Sequence, residues 1–168
     1  MTLDDVNALS RERFEQALGS VFEHSPWIAA AAYASRPFAS VDALHAAMTQ
    51  AMREAPDGAK LALLRAHPEL AGKAAVAGEL TASSTTEQAG AGLLQCSRDE
   101  LERLQQLNRA YGERFGFPFI IAVKGLDRRA VIDALAARST RDRDSELEEA
   151  LRQVERIARL RLDALIPT

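Results

Sequence analysis

Residues 97–125 read SRDELERLQQLNRAYGERFGFPFIIAVKG, and this stretch decides the fold class. Its first part predicts a long helix, because Ser97 and Glu100 have the spacing of a capping box. The side chains that follow at helical spacing are Leu101, Leu104, Asn108, Tyr111 and Phe115. Residues 120–123 have strand-forming side chains, but nothing else in the chain offers a partner strand. We therefore predict an all-α protein, a single compact multi-helix domain with a buried extended segment near residues 117–124.

The main chain of that extended segment needs hydrogen-bond partners, because buried N–H and C=O groups are rarely left unpaired. In a helical domain no neighbouring strand supplies them. A bound polar ligand is one candidate partner, so the segment is a candidate part of a binding site.

Other helix starts are predicted from capping chemistry. The pairs Ser84 with Glu87 and Ser145 with Glu148 match capping boxes. Further helices are expected to begin after Ser10, Ser25 and Ser40, and to occupy about residues 59–66 and 127–137. Residues 69–82 are predicted to form a loop with a short helical piece.

The composition supports one helical domain over residues 1–168. The chain is 47% hydrophobic but only 5% aromatic, so we expect helices packed through small and aliphatic side chains. The net charge of the chain is -3, whereas a nucleic-acid-binding protein usually has an excess of basic residues. No apolar run reaches membrane-spanning length, and no secretory signal pattern opens the chain. We therefore expect a cytoplasmic protein that binds neither nucleic acid nor membrane.

The stretch from His67 to Leu93, HPELAGKAAVAGELTASSTTEQAGAGL, is the first candidate for chemistry. It contains Glu87 and Gln88 besides His67, and a histidine with a carboxylate in a water-poor pocket can move protons near neutral pH. Each residue also has a structural interpretation. Because Pro68 disfavours helix, His67 can be a helix-end histidine, and Glu87 can be the second half of a capping box. On the residues alone, the structural interpretation of each is favoured and the catalytic one stays open.

Arg161 is the second candidate because of its place on the C-terminal helix. The apolar stripe of that helix comprises Leu147, Leu151, Val154, Ala158 and Leu165. At about 100° per residue, Arg161 falls roughly 40° from the centre of the stripe. A guanidinium on the core side needs a carboxylate or a planar polar ligand, since burying it alone is unfavourable. A structural ion pair or a snorkelling side chain is the favoured explanation, and a ligand contact is the alternative.

A metal site is not predicted from the residues. His24 and His45 lie elsewhere in the chain than His67, and no H-x-x-x-H pair occurs. Cys96 is the only cysteine, which excludes an intramolecular disulfide and a metal-thiolate set. The sequence also contains no G-x-S-x-G elbow, P-loop or dinucleotide-binding fingerprint.

Four longer motifs occur in order along the chain. They are His67-Pro68-Glu69-Leu70-Ala71; Ser84-x-x-Glu87-Gln88-x-x-Ala91-Gly92-Leu93; Leu107-Asn108-x-x-Tyr111-x-x-x-Phe115-Gly-Phe-Pro-Phe-Ile120; and Ile157-Ala-x-x-Arg161-Leu162. In this combination the chain resembles the OHCU decarboxylase family, where OHCU is 2-oxo-4-hydroxy-4-carboxy-5-ureidoimidazoline. The resemblance covers nearly the whole chain, and four ordered motifs are more specific than one short pattern.

The resemblance implies an all-α, usually homodimeric enzyme that uses no metal or organic cofactor. It implies a small-molecule substrate, OHCU, which is decarboxylated to (S)-allantoin in the last step from urate. The implied catalytic residues are His67 and Glu87. The implied substrate-binding residues are Pro68, Ser84, Gln88, Phe119, Ile120, Ile121, Ala122, Val123 and Arg161, with main-chain contacts from the 119–123 stretch. The chain departs from the family at Cys96, where a larger aliphatic residue is expected, and in the arginine- and aspartate-rich residues 138–145.

Functions of other classes remain open on the sequence. A non-catalytic helical interaction module would keep the fold without turnover. A lyase or hydrolase for a related ureido-imidazole ring would share the site residues, so only a panel of substrates separates it from an OHCU decarboxylase. A metal-dependent hydrolase has the least support, because the sequence has no metal-ligand spacing.

Overall fold

A computed structural model describes residues 1–72 and 78–167 of the chain. Throughout these residues every regular element is a helix, which confirms the predicted all-α class. The predicted short helical piece is not found at residues 69–72 or 78–81, and residues 73–77 lie outside the described ranges. None of the helices in the described part combines the length with the apolar content that crossing a membrane requires.

The α-helices are α1 (Leu3–Ala8), α2 (Arg11–Leu18), α3 (Pro26–Ala32), α4 (Val41–Glu54), α5 (Asp57–Ala66), α6 (Ala82–Gly90), α7 (Arg98–Phe115), α8 (Arg128–Arg138) and α9 (Arg143–Leu165). Short 3₁₀ helices occupy Tyr33–Ser35 and Leu93–Gln95.

The chain divides into two compact units. The first unit comprises Met1–Ala66 and Glu155–Thr168, and the second comprises His67–Val154. Helix α9 therefore contributes its N-terminal part to the second unit and its C-terminal part to the first. That residues 1–168 act as a single domain stays a prediction.

The first unit has an apolar core built from α2, α3 and α4, which pack on one another in chain order. Its fully buried large side chains include Phe14, Leu18, Ile28, Leu44, Met48 and Met52. Phe14 also contacts Tyr33 edge to face, with the ring centroids 5.4 Å apart. Burying each such side chain contributes about 1.5–3 kcal/mol, so these helices are held mainly by apolar packing.

In the second unit, helix α7 begins as its capping box predicts. The Ser97 hydroxyl accepts the Glu100 N–H at 3.2 Å, and the Glu100 carboxylate accepts the Ser97 N–H at 3.2 Å. The bond that the Glu100 carboxylate accepts from the Ser97 N–H is the largest cause of a lowered pKa of Glu100, because it favours the charged form. The buried residues of α7 are Leu104, Asn108, Tyr111 and Phe115, which belong to the predicted stripe.

Gly116 ends α7 and turns the chain into the extended segment, residues 117–123. Its φ of 80° is left-handed, a conformation that glycine adopts without the steric penalty of a Cβ. The buried residues beyond it are Phe117, Phe119, Ile120, Ala122 and Val123. None of residues 117–123 is helical or paired as a strand. The predicted buried extended segment is therefore confirmed.

Two predicted helix caps are wrong. Helix α6 is capped by Thr81, whose side-chain oxygen accepts the Ser84 N–H at 3.2 Å. Helix α9 is preceded by Asp142, whose carboxylate accepts the Ser145 N–H at 2.9 Å. In both places a residue three positions earlier has a side chain that can cap, so the helix begins about one turn before the predicted start. Ser84 therefore lies inside α6, and Glu87 does not complete a capping box with it.

Candidate functional site

The loop that follows α5 carries His67. Helix α5 ends at Ala66, as expected from Pro68, which disfavours helical geometry in the residue before it. His67 is buried, with 8% of its surface exposed, whereas Pro68 is half-buried. A buried imidazole next to a chain turn is a suitable position for a group that exchanges protons with a bound molecule.

Two buried side chains hold the main chain just beyond His67. Asn108 Nδ2 on α7 donates to the Leu70 carbonyl at 2.9 Å. Gln88 Oε1 on α6 accepts the Ala71 N–H at 2.8 Å. Ala71 has a φ of 49°, which costs an alanine about 1–2 kcal/mol relative to the right-handed region. The two hydrogen bonds thus stabilise an unfavourable turn, and strain of this kind is often found at functional sites.

Helix α6 turns two of the predicted site residues inward. Ser84 and Gln88 lie one helical turn apart, and 4% and 2% of their surfaces are exposed. Glu87 lies beside them on the same helix and is half-buried. Because Gln88 also contacts Ala71, the helix that carries Glu87 is tied to the loop that carries His67.

The amide of Gln88 has a defined orientation. The Ala71 N–H is a donor, so the Gln88 oxygen must face it and the Gln88 NH₂ group points elsewhere. Within residues 1–72 and 78–167, the buried Nε2 atom has no hydrogen-bond partner. Gln88 therefore presents a hydrogen-bond donor, which suits a carbonyl or carboxylate oxygen of a bound molecule.

The extended segment is partly satisfied by protein side chains. The Ile120 carbonyl accepts a hydrogen bond from Arg138 Nη1 at 2.8 Å, and the Ala122 N–H donates to Gln153 Oε1 at 2.9 Å. The Val123 carbonyl accepts the Leu126 N–H at 2.9 Å. Three main-chain groups of the segment, which were expected to need hydrogen-bond partners, are thus bonded by other groups of the protein.

Arg138 belongs to a buried polar network. Glu146, which is fully buried, accepts hydrogen bonds from Arg138 Nε at 3.2 and 3.0 Å and from the Tyr111 hydroxyl at 2.5 Å. Burial and the bond to Glu146 raise the pKa of Tyr111 well above its ordinary value. The Arg138 guanidinium lies over the Phe119 ring, 4.5 Å from its centroid. The network therefore links α7, α8 and α9 to the extended segment.

Three further buried polar residues, Arg138, Glu146 and Gln153, were not predicted from the sequence. One available signal was the spacing of Glu146 and Gln153, seven residues apart, with the buried Ala150 between them on α9. Polar side chains at core spacing require buried partners. Nothing in the local pattern identified those partners as main-chain groups of the extended segment.

Arg161 lies in the first unit, whereas the other predicted site residues lie in the second. It is 7% exposed, which confirms that it faces a core rather than solvent. Arg161 Nη1 donates to Glu23 Oε2 at 2.7 Å, and the Ser20 and Val21 carbonyls are each 3.4 Å from the same nitrogen. The predicted ion-pair partner is therefore Glu23. A contact between Arg161 and substrate stays a prediction.

The sequence is similar to a described protein family and to individual proteins of other organisms. A family model described as OHCU decarboxylase matches residues 7–163. The 2-oxo-4-hydroxy-4-carboxy-5-ureidoimidazoline decarboxylase of Haloferax volcanii is 44% identical over 162 residues, covering 96% of this chain and 94% of that protein. The decarboxylase of Mus musculus is 40% identical over 166 residues, covering 99% and 93%. The uric acid degradation bifunctional protein PucL of Bacillus subtilis is 41% identical over 165 residues, but only 33% of PucL is matched.

Two solved structures have a fold similar to that of this chain. The crystal structure of (S)-allantoin synthase superposes with a TM-score of 0.79 at 31% identity, covering 100% of this chain and 55% of that one. A crystal structure of OHCU decarboxylase in the presence of (S)-allantoin superposes with a TM-score of 0.70. Its sequence identity is 22%, with 95% of this chain and 100% of that chain covered, so it supports the fold alone.

Proposed function

Because this chain belongs to the OHCU decarboxylase family, we propose that it is a carboxy-lyase that converts OHCU to (S)-allantoin with release of CO₂. The observation that carries the proposal is the hydrogen bond between Gln88 and Ala71. It ties the loop of His67 to the helix of Glu87, the two residues that the family resemblance makes catalytic. The enzyme would act in the degradation of urate.

The proposed substrate supplies its own electron sink. Its carboxylate is attached to a hydroxyl-bearing ring carbon next to a C=N bond. When the C–C bond to the carboxylate breaks, the electron pair moves toward the imine and CO₂ leaves. The hydroxyl carbon becomes a ring carbonyl, and the neighbouring carbon takes up a proton on one face. The protein must orient the carboxylate, stabilise the developing charge and direct that proton.

We assign these tasks to residues of the second unit. His67 is the general acid and base that engages the hydroxyl or carboxylate. Glu87 orients the hydroxyl and maintains the useful protonation state of His67. Gln88 donates from Nε2 to a substrate oxygen, because its own oxygen is held by Ala71. General acid–base catalysis by a positioned side chain contributes about 10²–10⁴ in rate.

Further substrate contacts are proposed from the family resemblance. Pro68 and Ser84 contribute to the pocket wall, and main-chain groups of residues 119–123 bind ring or ureido atoms. Arg161 is proposed to bind a substrate oxygen, because the planar guanidinium matches carbonyl and carboxylate groups. Its hydrogen bond to Glu23 orients the guanidinium. An oriented guanidinium supports the proposed binding role.

The proposal is tested by circular dichroism at a wavelength sensitive to allantoin. OHCU is generated in situ and followed with and without the protein, because its spontaneous decay gives racemic allantoin. We expect rapid, protein-dependent formation of the (S) enantiomer, also in the presence of EDTA. Racemic product formed at the spontaneous rate would contradict the activity. Activity on a different ureido-imidazole in a parallel substrate panel would reassign the substrate.

A homodimer in the cytoplasm is the remaining part of the proposal. It is supported by the family resemblance. Light scattering coupled to size-exclusion chromatography measures the mass of the particle. A mass near twice 18.3 kDa would support the dimer, and a mass near 18.3 kDa would contradict it.

A further inference from the structure

Two buried side chains hold one edge of the extended segment, and we propose that both are positioning residues for the decarboxylation. They are Arg138 on α8 and Gln153 on α9. Neither was identified from the sequence. The inference rests on the proposed function, because that function makes the main chain of residues 119–123 part of the substrate site.

The two hydrogen bonds lie on the same edge of the segment. Arg138 Nη1 donates to the Ile120 carbonyl at 2.8 Å, and Gln153 Oε1 accepts the Ala122 N–H at 2.9 Å. In extended backbone, the N–H and C=O groups of alternate residues point to the same edge. The N–H and C=O of Ile121, which lies between them, therefore face the opposite edge.

The Ile121 edge has the right chemistry for the proposed substrate. It offers one donor and one acceptor side by side, the arrangement that pairs with an –NH–CO– group. The ureido arm and the ring of OHCU both contain such groups. Among residues 1–72 and 78–167, no protein group forms a hydrogen bond with the Ile121 main chain. Arg138 and Gln153, which we call the clamp, therefore occupy one edge of the extended segment. The other edge is left for substrate.

Each clamping side chain is itself oriented by a second contact. Gln153 Nε2 donates to Glu149 Oε1 at 2.7 Å, so the Gln153 oxygen must face Ala122. Arg138 is held by the fully buried Glu146 and lies over the Phe119 ring. These second contacts restrain Arg138 and Gln153, since neither side chain can rotate without breaking a hydrogen bond to a carboxylate.

Positioning of this kind affects substrate binding more than bond breaking. We assign the Ile121 edge to the ureido arm, which is not attached to the carbon that loses CO₂, so this contact has a similar strength in the bound substrate and in the transition state. Loss of such a uniform contact raises KM and leaves kcat nearly unchanged. A merely structural role would change stability and leave KM unaltered.

The test begins with Gln153→Met, which removes the acceptor and keeps a similar volume. We expect KM for OHCU to rise about tenfold while kcat stays within about threefold of the wild-type value. The matched control is Val131→Ala, which truncates a fully buried side chain on α8 of the same unit. Its melting temperature should fall and its KM should not change. An equal rise of KM in both variants would overturn the inference.

A double variant provides the rescue. Glu149→Gln with Gln153→Glu exchanges the amide and the carboxylate. The amide at position 149 can then donate to the carboxylate at position 153, and that carboxylate can still accept the Ala122 N–H. KM should return to within about threefold of wild type. If Gln153→Met does not fold, Gln153→Asn gives the same comparison, because it withdraws the amide by one methylene.

The failures of the two proposals are distinguishable. A wild-type protein that forms no (S)-allantoin would overturn the proposed function together with this inference. A wild-type protein that turns over OHCU, combined with an unchanged KM in a folded Gln153→Met protein, would overturn the positioning role alone.

Discussion

Asn108 on α7 donates a hydrogen bond of 2.9 Å to the main-chain carbonyl of Leu70, three residues after His67. Both groups are buried, and the bond joins residues 38 positions apart in the chain. The bond therefore restrains the loop that carries the proposed acid–base residue.

Replacing Asn108 by Leu should reduce turnover without destroying the fold. The isobutyl group has a similar volume but cannot donate to the Leu70 carbonyl, so the loop of His67 loses one restraint. Leaving a buried carbonyl unsatisfied costs about 1–3 kcal/mol, and the free energy of unfolding in urea should fall by about that amount. We expect kcat/KM to fall about tenfold or more, given the sensitivity of catalysis to geometry. Unchanged kcat/KM in this destabilised protein would contradict the positioning of His67 by Asn108.

Replacing His67 by Ala should lower kcat by about 10²–10⁴, because a positioned acid–base group is lost. The change in stability should be modest in comparison, and the far-ultraviolet circular dichroism spectrum should match that of the wild type. Glu87→Gln is the companion variant, since it keeps the size of the side chain and removes its charge. Near-full activity of the His67→Ala protein would show that the assigned mechanism is wrong.

Replacing Gln88 by Glu separates the two roles of this amide. The carboxylate still accepts the Ala71 N–H, but it cannot donate to substrate. We therefore expect weaker substrate binding, seen as a raised KM. Gln88→Leu loses both functions without burying a charge, so its unfolding free energy should fall by about 1–3 kcal/mol through the lost bond to Ala71. A Gln88→Leu protein as stable as the wild type would argue against a structural contribution from that bond.

Replacing Glu23 by Gln should destabilise the protein through Arg161. Both side chains are buried, and their charged atoms are 2.7 Å apart. Breaking a buried ion pair by removing one charge typically costs about 3–5 kcal/mol, measured here by urea unfolding. The double variant Glu23→Leu with Arg161→Met removes both charges and should recover part of the stability. If Arg161 also binds substrate, the double variant stays inactive. Recovery of activity along with stability would show that Arg161 is only structural.

Tyr111 should make stability decrease at high pH. Its pKa is raised in the folded protein by burial and by the bond to Glu146, from an ordinary value of 10.0. Below pH 10 both the folded and the unfolded state keep the phenol proton, so the stability that Tyr111 contributes to the folded protein is fully present. Above pH 10 the unfolded state releases the proton first, and the folded state loses stability by up to about 1.4 kcal/mol per pH unit.

The measurement is the unfolding free energy of wild type and Tyr111→Phe between pH 8 and 11. The variant lacks the phenol, so the difference between the two proteins should shrink as the pH rises above 10. A difference that is constant over this range would mean that Tyr111 titrates normally in the folded protein.

Local patterns of the sequence predicted the helices well where one capping residue had no competitor. The Ser97–Glu100 box and the stripe of α7 are correct, because cap and periodicity involve residues a few positions apart. The caps at Ser84 and Ser145 were wrong because Thr81 and Asp142 take that role. The choice between neighbouring capping residues depends on where the helix packs, which a local pattern does not contain.

The sequence by itself determined the all-α class, the buried extended segment after Gly116 and the membership of the OHCU decarboxylase family. Helix periodicity, the conformation of glycine and ordered motifs are properties of short stretches of chain. Only the tertiary structure decided which side chains hold the candidate site. Arg138 and Gln153 clamp the extended segment, and Gln88 and Asn108 hold the loop of His67. These hydrogen bonds join residues 17 to 38 positions apart, and their directions are set by the packing of helices rather than by neighbours in the chain.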